Sequence, residues 1–595
     1  MLDQPKVWIM KRLLGDPLPA GRRYGGIIHL VSRLFPKRLS NLPSTSFQGI
    51  QKDRTYPKEI KVVDIRGHSE IKEIQVRVIQ GILNRNAPIV YLVGSEKDEF
   101  WLSNIQSDIR EFPIDELPWS SYPSITYDSS SIKQTYLAIT LAGIHDAIPT
   151  PLTNNFGIDF SCKDVLFDLT TMNDREMNSK FHEAANKACK SMISFRNTPA
   201  PETIDLIVNQ RMILSPLALH GTWFRSLGGR TSKEEAEVLR QIIESMDPDS
   251  AMLGYNPNPG IAGEYETINY LSKHGMFSLP VPGVPNLSFF SGFPKVQSSQ
   301  GTRNHPNTDT TLGAGSRGGG VGGGVEEIAG WKKEANVPRN GGKISNGSGK
   351  TQNVQTEFGA KVTGTTPIKP EEKVHVVILM SDGDNLDLPY SKYDFFSQEH
   401  TTPLGWSVSP FLNEFAPVMF EYYTSHLQQG DTLVAAPSGG GFCYPSYHRH
   451  LPAFLEHTER FMRESGLEYL WLLDHPIRGY SKPLLRKFAD FTKGMFLEYV
   501  IIRPYSRSIE FHDGIPTVFS SAFVEKDGKV AEAIQRSTPK KDGPSFLFVG
   551  VEMRYNTPEH IDSEIAKLDH RKYTVVGVPE FMDLIKRYKM NDAEL

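Results

Sequence analysis

Short apolar runs alternate with amphipathic stretches along much of the chain, and the alternation is most regular in the second half. Residues 374–380 read VHVVILM, a continuous apolar and β-branched run that is typical of a strand buried on both faces. Residues 451–465 instead space their apolar side chains three and four positions apart, which predicts a helix. Because strands that alternate with helices usually form a parallel sheet, we predict an α/β fold.

The same pattern predicts further elements in this half of the chain. The predicted strands are 432–436, 469–473, 497–502, 516–520, 546–551 and 573–578, and the predicted helices are 412–428, 482–493, 558–568 and 579–588. Counting from Ala251 onward gives about eight candidate strands, the number found in a (β/α)₈ barrel. We therefore predict a TIM-like parallel β/α barrel whose functional site lies at the carboxyl ends of its strands.

The first half of the chain shows a similar alternation of predicted strands and helices. Residues 61–65, a helix that begins after Ser69, and residues 89–93 predict a β-α-β unit. Further strands are predicted at 206–215, 251–255, 277–279 and 286–290, with helices at 180–194, 232–245 and 264–274. These elements predict three regions: a smaller N-terminal α/β domain at 56–160, the first part of the barrel at 161–296 and its second part at 374–590.

Two segments lack this periodicity. Residues 297–373 are rich in Gly, Ser, Asn and Thr, and they hold too few large apolar side chains to offset the entropy of an ordered chain. We predict that this segment is a disordered insertion. The GSGKT at 347–351 resembles the end of a phosphate-binding loop, but no apolar strand precedes it. Residues 1–55 are basic and aperiodic, and we predict a poorly ordered N-terminal segment there.

Composition narrows the classes of function. A net charge of −4 over 595 residues argues against a dedicated nucleic-acid binder, and 39% hydrophobic with 23% charged residues is typical of a soluble globular protein. No run reaches the ~20 apolar residues of a membrane span, and no convincing signal peptide is present, so we expect a cytoplasmic protein. The three cysteines have no metal-ligand spacing, and we expect neither a disulfide framework nor a metal or cofactor. The oligomeric state is left open.

The stretch DTLVAAPSGGGFCYP, residues 431–445, places a glycine-rich and aromatic turn directly after an apolar run. Glycines allow positive φ and a close approach of ligand to backbone, and loops at strand ends often carry function. The spacing of Gly439, Gly441, Phe442, Tyr444 and Pro445 resembles the signature of the GxGYxYP putative glycoside hydrolase family. That family usually has Tyr where this chain has Phe442, which removes a hydroxyl and leaves a ring suited to stacking.

Other motifs of that family occur in the same order. SDGDN at 381–385, Gly405-Trp406 and Ser409-Pro410 precede the aromatic loop. GILNRNAPIVYLVG, followed by Phe-Trp-Leu, resembles the N-terminal domain of the family. The resemblance covers 60–105 and 374–590, and it implies a hydrolase that acts on a carbohydrate.

Polar residues at the predicted strand ends match the chemistry of glycoside hydrolysis. That reaction usually needs one carboxylic acid to protonate the leaving oxygen and a second carboxylate as nucleophile or as base for water. The candidate catalytic residues are Asp382, Asp384, Asp474 and Glu552. The candidate substrate-binding residues are Asn286, Asn385, Trp406, Ser438, Gly439, Gly441, Phe442 and Tyr444. We predict carboxylate general acid–base catalysis on a carbohydrate at the barrel rim.

Other interpretations stay open. Asp382 could brace the turn at Gly383, the residues after it could shape that turn through Asx hydrogen bonds, and the aromatic pair could simply pack over the barrel mouth. The aspartates of SDGDN with His448 or His475 could instead hold a metal in a deacetylase-like hydrolase, although no paired histidine spacing accompanies them. A protein that binds carbohydrate without cleaving it is the third possibility.

Overall fold

A computed structural model describes 46–152, 164–195, 201–216, 233–254, 261–279, 284–296, 372–383, 398–475, 479–498, 505–506, 508–540 and 543–592. Strands and helices are numbered here in chain order within these residues. The strands are β1 Glu59–Asp64, β2 Val90–Val93, β3 Asp108–Glu111, β4 Ser124–Tyr127, β5 Ile148–Pro151, β6 Val165–Asp168, β7 Met192–Phe195, β8 Leu214–Ser215, β9 Ser250–Leu253, β10 Met276–Leu279, β11 Val374–Met380, β12 Leu404–Val408, β13 Thr432–Ala435, β14 Tyr469–Leu472, β15 Gly494–Leu497, β16 Ile509–His512, β17 Ile515–Val524, β18 Ser545–Val551 and β19 Tyr573–Val575.

Helices connect or flank most of these strands. The α-helices are α1 Glu70–Leu83, α2 Glu96–Ser103, α3 Ile132–His145, α4 Asp174–Lys187, α5 Ile204–Asn209, α6 Lys233–Glu244, α7 Ile261–Lys273, α8 Leu287–Phe290, α9 Leu412–Phe415, α10 Pro417–Ser425, α11 Leu451–Ser465, α12 Lys482–Ala489, α13 Val530–Ser537, α14 Pro558–Ile565 and α15 Val578–Asp592. Short 3₁₀ turns lie at Ile114–Glu116, Trp119–Ser121, Pro201–Thr203 and Pro445–Tyr447. None of the helices in the described part of the chain combines the length and the apolar character that crossing a membrane requires.

Seven of the described strands close into a parallel barrel in the order β11, β12, β13, β14, β15, β17 and β18. The barrel closes where β18 pairs with β11 in parallel along seven residues, from Val374 opposite Ser545 to Met380 opposite Val551. Strand β19 adds to the amino-terminal half of β11, and β16 pairs antiparallel with β17. The prediction of a parallel β/α barrel is therefore confirmed.

Alternation along each barrel strand separates two apolar layers. Val377 and Leu379 of β11 pack in one buried cluster with Trp471, Phe496 and Phe548 from other strands, which is the barrel interior. Their neighbours on β11 point the other way into a second cluster shared with the surrounding helices. Helix α15 contributes apolar side chains to the interior cluster, so it covers one end of the barrel. Fully burying an aliphatic or aromatic side chain contributes roughly 1.5–3 kcal/mol, so this interior is a main source of stability.

In the first half of the chain, the described strands form three separate parallel sheets. Their strand orders are β2-β1-β3, β5-β4-β6 and β10-β9-β7-β8. The prediction that barrel strands begin at Ala251, within 161–296, is therefore wrong, because β9 pairs with β7 on one side and with β10 on the other, in a sheet apart from the barrel. Sequence alternation predicts a parallel sheet but does not say which strands share it.

Two predicted strands are helical in part or in whole. Residues 206–209 lie in α5, 210–213 are neither helix nor strand, and Leu214–Ser215 forms β8. Residues 287–290 of the predicted strand 286–290 form α8, and Asn286 precedes this helix with a φ of 62°. Both segments are short apolar runs, for which periodicity alone does not separate a strand from a buried helix.

Residues 46–55, the end of the N-terminal segment predicted to be poorly ordered, pack against the barrel half of the chain. Phe47 and Ile50 are buried, and the Ile50 backbone N–H donates to Glu414 Oε1 at 2.6 Å. The Arg54 guanidinium bonds the same carboxylate at 2.6 Å, which ties the segment to the barrel half of the chain. The prediction for 1–55 is thus wrong for 46–55, while 1–45 and 297–371 of the predicted insertion lie outside the described residues.

Candidate functional site

A pocket of about 200 Å³ opens at the mouth of the barrel, where its parallel strands end. Carboxyl ends of parallel strands meet at one rim, which is where barrel folds place their sites. The pocket is lined by Ser381, Asp382, Gly383, Ser407, Ala436, Pro437, Phe442, Trp471, Leu473, Glu498 and Phe523. These residues come from six neighbouring strands of the barrel or from the turns that follow them.

Asp382 follows β11 and forms part of a charged group with Arg554 and Glu552. The Arg554 Nε lies 2.8 Å from Asp382 Oδ2, and another guanidinium nitrogen of Arg554 bonds Glu552. Because β11 and β18 are neighbours, their ends bring the two carboxylates side by side. Burial, and then the charge of Asp382, raises the pKa of Glu552. One guanidinium thus bridges two adjacent carboxyl groups, one of which, Asp382, lines the pocket.

The turn that carries Asp382 is tightly held. Asp382 itself has a φ of 69°, and Gly383 N donates to Ser407 Oγ at 2.8 Å. Ser409 N in turn donates to Gly383 O at 2.7 Å. A Cβ on Gly383 would lie 1.7 Å from the Ser407 carbonyl oxygen, so only glycine fits there. This packing fixes the direction of the Asp382 side chain.

Glu498 lies across the pocket from Asp382, because β15 is three strands from β11 in one direction and four in the other. The indole N–H of Trp471 donates to Glu498 Oε2 at 3.1 Å. The Tyr480 hydroxyl donates to the carbonyls of Leu472 and Glu498 at 2.8 and 3.1 Å, which fixes the ends of β14 and β15. Two carboxyl groups therefore stand on opposite walls of one pocket.

Glu498 and Trp471 are not among the site residues predicted from the sequence. The predicted strand 497–502 starts later than β15, which ends at Leu497, so Glu498 did not stand out as a residue at a strand end. Trp471 lies within the predicted strand 469–473. There, alternation shows only that its side chain lies on the same face of the sheet as Tyr469. A signal was present in the charged residue that directly follows the run GMFL.

The glycine loop after β13 is mostly buried. Ser438, with a φ of 59°, donates through Oγ to the carbonyls of Cys443 and Leu473. A Cβ on Gly439 would lie 2.4 Å from Thr458 Cγ2, and one on Gly441 would lie 2.3 Å from Phe277 Cδ2. Both glycines also have positive φ. The predicted binding residues Ser438, Gly439 and Gly441 therefore shape and pack the loop.

The two aromatic rings of the loop have different positions. Phe442 lines the pocket, and its backbone exchanges two 2.8 Å hydrogen bonds with Ser278 of β10. Tyr444 is fully buried, its N–H donates to Ser272 Oγ at 2.8 Å, and its ring packs edge-on against His475. Cys443 between them is buried, which raises the pKa of its thiol well above the usual value. Of the two predicted ring contacts, the structure thus brings Phe442 to the pocket and Tyr444 into the core.

Three further predicted residues lie apart from the pocket among the described residues. Asp474 is buried, and its Oδ1 accepts hydrogen bonds from the backbone and hydroxyl of Ser446 at 3.2 and 2.8 Å. Trp406 is buried in the outer layer and donates to Asp431 Oδ2 at 2.9 Å. Asn286 is buried beside β2, where its Oδ1 accepts from Leu92 N at 2.9 Å. These contacts support the fold rather than a ligand.

The last candidates are Asp384, Asn385 and the two histidines considered as metal ligands. Asp384 and Asn385 lie outside the described residues. Among the residues that are described, no group of three His, Cys, Asp or Glu side chains is arranged to hold a metal ion. Of the two histidines considered as metal ligands, His448 is buried, which lowers its pKa to about 3, and His475 packs against Tyr444 and Tyr447.

Comparisons with known proteins agree with this architecture. The sequence matches the GxGYxYP putative glycoside hydrolase C-terminal domain over 372–586 and the GxGYxYP third domain over 198–292. A crystal structure of a putative hydrolase from Bacteroides thetaiotaomicron VPI-5482 superimposes with a TM-score of 0.66 and 17% sequence identity, covering 92% of this chain and 98% of that one. At that identity the likeness shows the fold alone. No curated protein matches the sequence.

Proposed function

Because the chain belongs to the GxGYxYP putative glycoside hydrolase family, we propose that it hydrolyses glycosidic bonds in the pocket at the mouth of the barrel. The observation that carries this proposal is the pair of carboxyl groups, Asp382 and Glu498, on opposite walls of one pocket. Glycoside hydrolysis requires two carboxyl groups that flank the scissile bond, one acting as an acid and one as a base or nucleophile.

Asp382 is the carboxylate of the pair. Its ion pair with Arg554, with 2.8 Å between Nε and Oδ2, favours the charged form of the side chain. A charged carboxylate at this position can attack the anomeric carbon or take a proton from water. Glu552, a predicted catalytic residue, holds the other side of the same guanidinium and serves to position Arg554.

Glu498 is the general acid of the pair. Its Oε2 accepts the indole N–H of Trp471 at 3.1 Å. The walls beside it are apolar, formed by Leu473, Phe523 and the Phe442 ring. Apolar surroundings favour the protonated form of a carboxylic acid, and two carboxyl groups in unlike surroundings separate into acid and base.

The pocket is suited to one sugar unit. Its volume of about 200 Å³ is below the roughly 300–1,000 Å³ of sites for drug-sized ligands. The rings of Trp471, Phe442 and Phe523 provide apolar surface against the C–H faces of a sugar, while Ser407 and the two carboxyl groups provide hydrogen-bonding atoms.

Turnover of a panel of 4-nitrophenyl glycosides and short oligosaccharides tests the proposal. Asp382→Asn and Glu498→Gln should each lower kcat by about 10³-fold or more, with unchanged melting temperatures, because they remove the charge or the proton and keep the shape. Glu532→Gln, on an exposed helix surface, is the control and should behave as wild type. Proton NMR of the first-released anomer then tells whether Asp382 attacks carbon or activates water.

Two results would overturn the proposal. Full activity in either pocket variant would remove that residue from the chemistry. A wild-type protein that binds a glycan in the panel but cleaves none would favour a carbohydrate-binding protein without catalysis.

A further inference from the structure

A buried acid–histidine pair lies behind the glycine loop, outside the residues that line the pocket. Asp249 stands in the turn before β9, and His457 lies on α11; both side chains are fully buried. His457 Nδ1 bonds Asp249 Oδ2, and Phe47 N donates to the same oxygen at 3.0 Å. The pair therefore joins the N-terminal segment, the region of the third-domain match and the barrel.

The other ring nitrogen of His457 reaches the glycine loop. His457 Nε2 lies 2.8 Å from Gly440 O, and since a carbonyl oxygen only accepts hydrogen bonds, Nε2 is the donor. The next residue, Thr458, accepts from Gly440 N at 3.0 Å. Both backbone polar groups of Gly440 are thus held by consecutive residues of α11. A Cβ on Gly440 would lie 2.4 Å from His457 Nε2, so the contact also needs glycine.

Gly440 is two residues from Phe442, the residue of the loop that forms a pocket wall. The loop is held on its other side by Ser278, through the paired hydrogen bonds to Phe442. We propose that Asp249 and His457 are positioning residues, which hold Gly440 so that the Phe442 ring stays in the pocket wall. The kinetic consequence rests on the proposed function, whereas the structural one does not.

The orientation of the imidazole explains why Asp249 is needed. With Nε2 bonded to Gly440 O, the ring can rotate about its Cβ–Cγ bond unless Nδ1 is also held. Asp249 supplies that second contact, and it has its own orientation fixed by Phe47 N. These two hydrogen bonds fix the orientation of the imidazole, and the imidazole in turn holds the loop at Gly440.

Two substitutions of His457 each remove one of its two hydrogen bonds and keep the other. A glutamine amide can occupy the place of Nε2, and an asparagine amide the place of Nδ1. His457→Gln should therefore keep the bond to Gly440 and lose the bond to Asp249, while His457→Asn should do the reverse. Asp249→Asn, which keeps the shape of the acid, is the milder test of the other partner.

Hydrogen–deuterium exchange on the full-length protein without ligand is the first measurement. In His457→Asn, which loses the bond to Gly440, amides of 438–444 should exchange at least about tenfold faster than in wild type. In His457→Gln and Asp249→Asn, which keep that bond and weaken only the second hold from Asp249, exchange should be about threefold faster, and wild-type exchange in Asp249→Asn would remove Asp249 from the positioning role. His400→Asn is the matched control, because His400 is a buried histidine bonded to Asp431 at the opposite end of β13. It should lower the melting temperature without changing exchange at 438–444.

Kinetics on a glycoside that wild type cleaves supply the second measurement. His457→Asn should raise KM more than it lowers kcat, because Phe442 contacts the substrate and takes no part in proton transfer. Equal exchange in both His457 variants and wild type, or the same loop exchange in His400→Asn, would overturn the inference. If wild type cleaves no glycoside, the proposed function fails while the exchange contrast still decides the positioning role.

Discussion

The turn after β11 and the loop after β13 leave the same rim of the barrel, but their side chains meet different surroundings. Asp382 in the turn is partly exposed, at 27%, and faces the pocket beside a guanidinium. Of the two aromatic rings in the loop, that of Tyr444 is fully buried and that of Phe442 lines the pocket. Both regions carry residues of the family motifs, so the difference teaches that a motif residue at this rim can face the pocket or can serve to pack a loop.

Replacement of Tyr444 should have the largest effect on stability. Tyr444→Ala leaves a cavity where a buried ring packs against His475, and the free energy of unfolding should fall by about 4 kcal/mol in urea titration. Tyr555→Ala is the control, since that ring is 45% exposed, and it should change stability by less than about 0.5 kcal/mol. A small loss in Tyr444→Ala would mean that the loop is held by its backbone alone.

Gly383→Ala should lower activity, because it disturbs the packing of the turn that carries Asp382. The added Cβ would meet the Ser407 carbonyl oxygen at 1.7 Å, so the turn must shift and move Asp382. A shift of about 1 Å in a catalytic group costs about 100-fold in kcat/KM. Gly67→Ala serves as control: at its φ of 75° a side chain strains only the local backbone, nothing lies within 4 Å of a Cβ there, and kcat/KM should stay unchanged. Unchanged activity in Gly383→Ala would separate Asp382 from the chemistry.

Asp474→Asn tests whether a buried carboxylate of the loop region is structural. Its Oδ1 holds the hydroxyl and backbone of Ser446, and an amide oxygen can keep only part of these charge-assisted bonds. Thermal unfolding should show a loss of about 1–2 kcal/mol, with kcat/KM per folded molecule unchanged. A large loss of activity at unchanged stability would instead support the catalytic role that the sequence predicts.

Glu552→Gln should have the smallest effect, and its sign depends on pH. The pKa of Glu552 is raised in the folded protein, so its contribution to stability is present below the unfolded pKa and is lost as pH rises through the folded pKa. Wild type should therefore lose stability relative to the variant as pH rises above about 4.5, by less than about 1 kcal/mol because pairing with Arg554 offsets part of the shift. Melting temperatures of both proteins across this range measure the difference, and an opposite trend would show that Arg554 dominates.

Much of the barrel could be predicted because its strands are continuous apolar runs. Residues 374–380 form β11 as predicted, and the predicted strand 546–551 lies within β18. Asp382 stood out for the same reason, since it directly follows such a run. The sequence pattern does not predict which strands share a sheet. Strands β9 and β10 have the same local pattern as the barrel strands and differ only in the strands with which they pair.

The site was harder to predict where it depends on distant partners. Tyr444 is buried by contacts that include Ser272, more than 170 residues earlier in the chain. Glu498 depends on where β15 ends, and a shift of a few residues in a predicted boundary hides it. Trp406 looks like a sugar platform in sequence, but strand alternation turns it outward to Asp431. Local pattern does not contain these long-range contacts.

The pairing of β11 with β18 also has a consequence for synthesis of the protein. These are the first and last barrel strands in chain order, and their pairing brings Asp382 to Arg554. On the ribosome, Asp382 emerges long before its partner guanidinium exists, and no nascent chain that stops short of β18 can form this ion pair. The charged half of the pocket is therefore assembled after translation of nearly the whole barrel, which keeps an incomplete chain from presenting the site.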